Sequence, residues 1–199
     1  KDRAIWIWNW REKRAVKTLR GHTLGVLGVA FSPDGELLAS GGQDTTVRLW
    51  RWRTEEELWR SPAGLDGALV LKVVFSPDGK RLAAADALGH LRTWDTESGR
   101  LLLTNSASAG RSGTVAYSPV GSVLAIGGRN PTLLDPEKGT HLGILEGPPS
   151  GVSALTFSRD GHLLAALSTD QALRVWDFAT GQIVHILRLR DAASVEFSP

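Results

Sequence analysis

Cysteine is absent from the sequence, which excludes disulfide bonds, thiolate zinc sites and cysteine nucleophiles. Long apolar runs are also absent, since ALVL at 68–71 ends at Lys72, far short of the roughly 20 apolar residues that a transmembrane helix needs. Neither sign of charge dominates, because 23 basic residues are mixed with 21 acidic ones along the 199 residues. Nothing in these features indicates a membrane span or a nucleic-acid-binding surface.

One five-residue segment recurs along the chain. FSPDG occurs at 31–35 and 75–79, YSPVG at 117–121 and FSRDG at 157–161, and the chain ends in FSP at 197–199. The aromatic residues that open these segments are separated by 44, 42, 40 and 40 residues. A period in the low forties with strand-like units is typical of the blades of a β-propeller.

Each repeat reads as four strands. In the best-preserved repeat, VLGVAF at 26–31 and ELLASG at 36–41 are joined by a tight turn in which Gly35 is expected to have a positive φ. VRLW at 47–50 follows as the third strand, and the fourth is expected around Glu57–Trp59. Such strands are apolar on both sides and are expected to be buried only when blades stack face to face.

The best-preserved repeat, GHTLGVLGVAFSPDGELLASGGQDTTVRLW at 21–50, resembles a WD40 repeat. The Trp-Asp pair appears at Trp94-Asp95 and again at Trp176-Asp177. The resemblance covers essentially the whole chain. It implies an all-β fold: a β-propeller of four-stranded antiparallel blades around a central axis, with about five blades represented, which serves as a binding platform rather than a catalyst.

The repeats divide residues 1–199, read as one WD40 propeller or part of one, into six segments. They are strands three and four of a first blade (1–20), repeats at 21–62, 63–106, 107–146 (degenerate) and 147–189, and the first strand of a further blade (190–199). Two architectures remain open. About 10 further residues after Pro199 would close a five-bladed ring, or the chain is an incomplete portion of a ring of seven or more blades.

Four residues of the best-preserved repeat occupy the positions of the hydrogen-bonded tetrad that the resemblance implies: His22, Ser40, Asp44 and Trp50. A Ser/His/Asp set also suggests a hydrolase. A structural role is favoured, because a buried imidazole between a carboxylate and a hydroxyl satisfies all of these polar groups. We therefore expect no catalytic residue here.

The other repeats lack parts of the tetrad. In the repeat that ends at Trp176, Pro148 replaces the histidine and Ala166 replaces the hydroxyl. In the repeat that ends at Trp94, Leu88 replaces the aspartate, although Asp86 is close by. These blades are expected to depend mainly on apolar packing.

Trp6, Trp8 and Trp10 alternate near the start of the chain and suggest an aromatic ligand cage. Trp8, however, lies 42 residues before Trp50, which places it in strand three of an earlier blade. Trp8 is therefore expected in the core, with the other two at the rim.

The glutamates at 55–57 are expected at a solvated edge. The scattered histidines have no metal-ligand spacing, so neither a metal nor a cofactor is expected.

A partner-binding face is expected where the loops before the first strands meet the turns between the second and third strands. The resemblance implies that partners dock on this face, whose loops can vary on a rigid frame. The candidate positions are Gly25, Leu27, Gln43, Leu69, Leu71, Ala87, Arg111, Gly113, Arg129, Gly151, Ser153, Thr169, Asp191 and Ala193. Arg111 and Arg129 fall in one repeat and either meet to bind an acidic peptide or phosphate, or are simply solvated.

The sequence predicts a non-catalytic scaffold that binds a protein, a peptide or another domain of its own polypeptide. The alternative is an accessory or substrate-gating propeller domain of a larger enzyme. Neither nucleic acid nor membrane is expected as a partner, while self-association is expected if the ring is incomplete. The first residues, KDRAIWIWNWREKR, do not form a signal peptide, which favours a cytoplasmic location.

Overall fold

The computed structural model describes residues 3–105, 113–147 and 151–198. These residues form strands and turns, with one short 3₁₀ turn at Leu65–Gly67. The strands are, in chain order, β1 (Ile5–Asn9), β2 (Arg14–Leu19), β3 (Val26–Phe31), β4 (Leu38–Gly42), β5 (Thr46–Arg51), β6 (Glu56–Pro62), β7 (Val70–Phe75), β8 (Arg81–Asp86), β9 (Leu91–Asp95), β10 (Leu101–Asn105), β11 (Val115–Tyr117), β12 (Leu124–Ile126), β13 (Thr132–Leu134), β14 (His141–Ile144), β15 (Val152–Phe157), β16 (Leu163–Ser168), β17 (Ala172–Asp177) and β18 (Ile183–Arg188). The all-β prediction is confirmed.

The strands form five antiparallel sheets. Sheet 1 contains β1 and β2, and the other sheets contain four consecutive strands each: β3 to β6 in sheet 2, β7 to β10 in sheet 3, β11 to β14 in sheet 4 and β15 to β18 in sheet 5. Each strand pairs with its neighbour in sequence. The prediction of four-stranded antiparallel blades is therefore confirmed.

The recurring five-residue segment forms the turn between the first and second strands of each four-stranded sheet. In sheet 2, the Ser32 backbone N–H donates to the Leu37 carbonyl at 2.9 Å, and the Gly35 N–H donates back to the Ser32 carbonyl at 2.9 Å. Gly35 has a φ of 73°, which only glycine adopts without strain. The predicted hairpin and its positive φ are thus confirmed.

The sheets stack through residues that alternate along each strand. In β4, Leu38 packs with Ile5 and Trp50 between sheets 1 and 2, whereas Ala39 packs between sheets 2 and 3. Equivalent apolar clusters join sheet 3 to sheet 4 and sheet 4 to sheet 5. The second strands β4, β8, β12 and β16 are therefore buried on both sides, which explains their largely apolar sequences.

The first strands of the four-stranded sheets lie together. β3 contacts β7, β7 contacts β11, and β11 contacts β15. A cavity of about 390 Å³ lies among these strands and reaches residues 195–196. The innermost strands of successive sheets thus surround a common centre, as the propeller interpretation expects.

The prediction that Trp8 lies in the core is wrong. Its side chain is 61% exposed, whereas the equivalent Trp50 is 1% exposed. The third-strand tryptophans Trp50, Trp94 and Trp176 are each buried against the preceding sheet. Ile5 and Ile7 of β1 face sheet 2, so Trp8, which alternates with them, faces the other side of sheet 1. No sheet of the described residues covers that side.

The predicted first strand at 190–199 is not formed, since residues 190–198 carry no strand. In sheets 2 to 5, each first strand obtains its ladder hydrogen bonds from the second strand of its own sheet. The described part of the chain offers no such partner to residues 190–198.

Among the described residues, no helix is long and apolar enough to cross a membrane.

Candidate functional site

The four predicted tetrad residues come together between sheets 1 and 2. The His22 Nδ1–H donates to both carboxylate oxygens of Asp44 at 2.9 Å. The other ring nitrogen, Nε2, then accepts the Ser40 hydroxyl proton at 2.8 Å, while the Ser40 Oγ accepts the Trp50 indole N–H at 2.9 Å. The tetrad therefore ties the loop before β3 to β4, to the β4–β5 turn and to β5.

The electrostatics of the tetrad keep His22 neutral and Asp44 ionised. Burial lowers the pKa of His22 below its usual value, although the hydrogen bond to Asp44 opposes this. Burial raises the pKa of Asp44, but hydrogen bonds from the Thr23 N–H, His22 and Thr46 outweigh it and lower this pKa to about 2. A neutral imidazole that donates from Nδ1 to an ionised carboxylate agrees with both pKa shifts.

The tetrad does not have the geometry of a working hydrolase triad. Ser40 is fully buried, and its oxygen already accepts the Trp50 N–H. His22 is also buried, so the described structure leaves no approach for a substrate to the hydroxyl. The arrangement can support the fold, which agrees with the structural interpretation of these residues.

Sequence reasoning missed Arg48, which extends the tetrad. Its side chain is 3% exposed, and its guanidinium lies 3.6 Å from the Asp44 carboxylate and 2.6 Å from Glu57. Glu57 is thereby drawn inward, whereas only Glu55 and Glu56 remain at the predicted solvated edge. The recurrence of arginine two residues before Trp50, Trp94 and Trp176 was the available signal.

The other repeats replace the tetrad with different bonds. In sheet 3, Asp86 accepts from the His90 Nδ1–H at 2.9 Å, and the Trp94 indole donates to Ser61 in sheet 2 at 3.1 Å. In sheet 5, the Trp176 indole donates to the Glu146 carbonyl at 3.2 Å. The buried indole N–H groups of Trp94 and Trp176 thus each have an acceptor, although neither acceptor is a hydroxyl on the second strand of the same sheet. Pro148, predicted at the histidine position, lies outside the described residues.

The candidate partner-binding positions that the structure describes lie on one side of the sheets, which we call the upper surface. It comprises the turns after β4, β8, β12 and β16, the residues just before and at the start of β3, β7, β11 and β15, and residues 191–193. Backbone hydrogen bonds join the two groups, from Gln43 to Gly25 at 2.8 Å. The same bond runs from Ala87 to Leu69 and from Thr169 to Gly151, at 2.9 Å each. In sheets 2, 3 and 5 the loop before the first strand and the turn after the second strand are therefore held side by side.

The upper surface is exposed and partly apolar. Leu27 and Leu69 are 42% and 36% exposed, and Ser153, Thr169 and Asp191 are also exposed. These side chains differ in charge and size, whereas the backbone bonds below them are repeated. The structure thus presents variable side chains on a fixed frame.

Four candidate positions, Leu71, Gly113, Ser153 and Ala193, line a cavity of about 250 Å³ near the common centre. A Cβ atom at Gly113 would lie 2.3 Å from the Leu71 Cδ1, so glycine permits this close approach of sheets 3 and 4. Leu71 and Gly113 therefore belong to one region, although Leu71 lies in sheet 3 and Gly113 precedes sheet 4.

The structure describes only one of the two arginines that are predicted to meet on the upper surface. Arg111 falls outside the described residues, and Arg129 is exposed beside a cavity of about 170 Å³ that Asn130 and Thr132 also line. Across the described ranges, no group of three or more His, Cys, Asp or Glu side chains is arranged to hold a metal ion.

Comparison with known proteins gives one family match. The family model described as "WD domain, G-beta repeat" matches residues 13–51, 62–95 and 139–177, which is more than half of the chain. The matches include the first three strands of sheets 2, 3 and 5, and only residues 139–146 of the degenerate repeat are matched.

Curated relatives align along nearly the whole chain. Nuclear distribution protein PAC1-2 of Uncinocarpus reesii is 31% identical over 184 residues, covering 91% of this chain and 35% of the relative. Transcriptional corepressor LEUNIG_HOMOLOG of Arabidopsis thaliana is 27% identical, covering 94% of this chain and 23% of the relative. Periodic tryptophan protein 2 homolog of Caenorhabditis elegans is 24% identical, with coverages of 97% and 21%. The chain thus spans about a fifth to a third of the length of these relatives.

Proposed function

The chain belongs to the WD40-repeat family, and from this premise we propose that it is a non-catalytic scaffold that binds a protein or peptide partner through its upper surface. The observation that carries the proposal is the repeated backbone bond beneath exposed, variable side chains. A frame of this kind holds binding residues in place at little entropic cost.

Two further observations support a binding role over a catalytic one. The Ser/His/Asp set of the tetrad is buried and its members are hydrogen-bonded to one another. Exposed leucines at 27 and 69 provide apolar anchors of the type that protein interfaces use. The partner is therefore proposed to be a protein segment or another domain of the same polypeptide, and the location to be cytoplasmic.

A photo-crosslinking experiment tests this proposal. Benzoylphenylalanine is placed at Ser153 on the upper surface or, as a matched control, at Thr180 in the exposed turn on the opposite side. In an extract of the cells that produce the protein, we expect a specific protein adduct from position 153 and none from position 180.

The captured partner is then purified and its affinity for the chain is measured. Leu27→Glu and Leu69→Glu should weaken binding by about tenfold each, because a charge cannot replace a buried apolar contact. Equal crosslinking from both positions, or affinity unchanged by both substitutions, would contradict the proposal.

A further inference from the structure

A second candidate interaction site lies opposite the upper surface, in a groove between sheets 2 and 3. We call it the lower groove; its floor is formed by Leu37 and Leu58, and its walls by the turns at 32–34, 78–80 and 95–97. Its volume is about 550 Å³. Both leucines also pack against the apolar cluster between the two sheets, so the floor is continuous with the core.

The rim of the lower groove is mainly acidic. It carries the carboxylates of Asp34, Asp78, Asp95 and Glu97. Side-chain hydrogen bonds from Ser32, Ser76 and Ser98 lower the pKa values of the three aspartates. Within the described ranges, none of the four acidic residues forms an ion pair. Two cations, Arg51 and Lys80, also line the groove, and Arg51 is paired with Glu56.

The next junction along the chain shows what such a groove can hold. Between sheets 3 and 4, Arg81 donates to the Pro136 carbonyl at 3.0 Å and to the Glu137 carboxylate at 3.0 Å. Arg81 lies two residues after Gly79 and corresponds to Leu37, which lies 44 residues earlier and two residues after Gly35. The arginine of one sheet thus reaches across to the turn of the following sheet.

The acceptor turn is the same in both junctions. Asp95 and Asp135 each accept a backbone hydrogen bond from the glycine four residues later, and a glutamate follows each aspartate by two residues. Glu97 is therefore the counterpart of Glu137. In the junction between sheets 3 and 4, Glu137 accepts from Arg81. In the junction between sheets 2 and 3, Glu97 has the same position as Glu137, but Leu37 replaces the arginine, so Glu97 has no arginine to pair with.

A buried polar group at the groove provides a second observation. Thr96 lines the groove and is 6% exposed, and its Oγ1 has no hydrogen-bond partner within the described structure. This buried hydroxyl costs about 1–3 kcal/mol while it has no partner, and it belongs to the same turn as Glu97.

We propose that the lower groove binds an arginine side chain from a partner protein, with the guanidinium on Glu97 and the aliphatic stem on Leu37 and Leu58. Arginine fits better than lysine because its planar fork pairs with a carboxylate while its stem covers apolar surface. This site lies apart from the upper surface and does not depend on it.

The probe is the amidated tetrapeptide acetyl-Ala-Ala-Arg-Ala, titrated into the full chain and followed by backbone amide NMR shifts. The control peptide carries citrulline, which has nearly the shape of arginine but no charge. We expect shifts at residues 37, 58 and 97, and about tenfold weaker binding of the citrulline peptide, equivalent to ~1.4 kcal/mol.

Three variants locate the bound guanidinium. Glu97→Gln should weaken binding by about tenfold, and Leu37→Arg should abolish it by supplying the arginine from the chain itself. Glu137→Gln is the matched control, because its carboxylate is already held by Arg81, and should leave binding unchanged. Thermal unfolding checks that each variant is folded.

The proposal is overturned if the arginine peptide does not bind, or if it binds no better than the citrulline peptide. It is also overturned if Glu97→Gln and Leu37→Arg both bind like the unsubstituted chain. The upper-surface proposal survives either result, since neither variant alters Leu27, Leu69 or Ser153.

Discussion

The Ser40 hydroxyl makes two of the hydrogen bonds of the buried tetrad. Ser40→Ala would leave the His22 Nε2 acceptor and the Trp50 indole N–H buried and unpaired. We expect the free energy of unfolding to fall by about 2–4 kcal/mol, as measured by urea unfolding. Ser194→Ala, at an exposed position, is the control and should change little. A loss below about 0.5 kcal/mol for Ser40→Ala would show that the tetrad does not support the fold.

The tetrad also predicts a pH dependence of stability. The folded pKa values of His22 and Asp44 lie below the unfolded values of 6.5 and 3.8. The unfolded chain therefore takes up each proton first, so stability is complete at higher pH and declines as the pH falls. The decline should begin near pH 6.5 for His22 and continue below about pH 4 for Asp44.

Urea unfolding between about pH 8 and pH 5 measures the histidine part of this dependence. One proton gives a slope of at most ~1.4 kcal/mol per pH unit. His22→Asn should reduce the slope, whereas His185→Asn, at an exposed position, should not. A slope of the opposite sign, or one that His22→Asn leaves unchanged, would contradict the neutral state of His22.

At the scale of residues, the tetrad could be predicted because its members have fixed spacings within one repeat. Arg48 was missed because a buried arginine in a strand has no local signal, and only the arginines two residues before Trp50, Trp94 and Trp176 reveal it. Trp8 was placed in the core because its spacing matches Trp50, but burial depends on whether another sheet covers it. That condition is not local in sequence.

At the scale of elements, the recurring turn depends on one glycine conformation. Gly35 has a φ of 73°, and a Cβ there would meet no atom within 4 Å, so Gly35→Ala tests the backbone alone. We expect a loss of about 1–2 kcal/mol in urea unfolding. Gly143→Ala is the matched control, since Gly143 also has open space but lies in β14 without a positive φ. Equal effects of the two substitutions would contradict the turn assignment.

The strands could be predicted because apolar runs and turn residues alternate at a constant period. The observed strand bounds differ by a few residues, as in β4, which begins at Leu38 and includes Gly42. The sequence pattern alone could not decide whether residues 190–199 form a strand, because a first strand requires hydrogen bonds from the second strand of its own sheet. The pattern specifies which residues can form a strand, whereas the partner decides whether they do.

At the scale of the whole molecule, exposed apolar side chains predict self-association. Trp8, Val29 and Phe31 each expose more than half of their side chains. Large apolar side chains that are left open to water tend to bind other apolar surface. We expect the weight-average mass in sedimentation equilibrium to rise with concentration, and Trp8→Ser combined with Val29→Thr to reduce the rise. A constant monomer mass for the unsubstituted chain would contradict this expectation.

The repeated architecture could be predicted from the sequence, since the period and the resemblance both indicate stacked four-stranded sheets. The partner could not, because the upper surface differs in side chains from one repeat to the next and shows no shared binding motif. The lower groove was not predicted either. It depends on the contrast between Leu37 and Arg81, whose meaning appears only when Arg81 is seen to reach the next sheet.

We infer that each sheet is stable only through contact with its neighbours. Leu82 is fully buried in β8, within the apolar cluster between sheets 2 and 3. Leu82→Ala leaves a cavity and should cost about 2–5 kcal/mol. Amide hydrogen exchange measured by mass spectrometry tests where that loss is felt. We predict faster exchange in β4 and β5 of sheet 2 as well as in sheet 3; faster exchange confined to sheet 3, with sheet 2 unchanged, would contradict the claim.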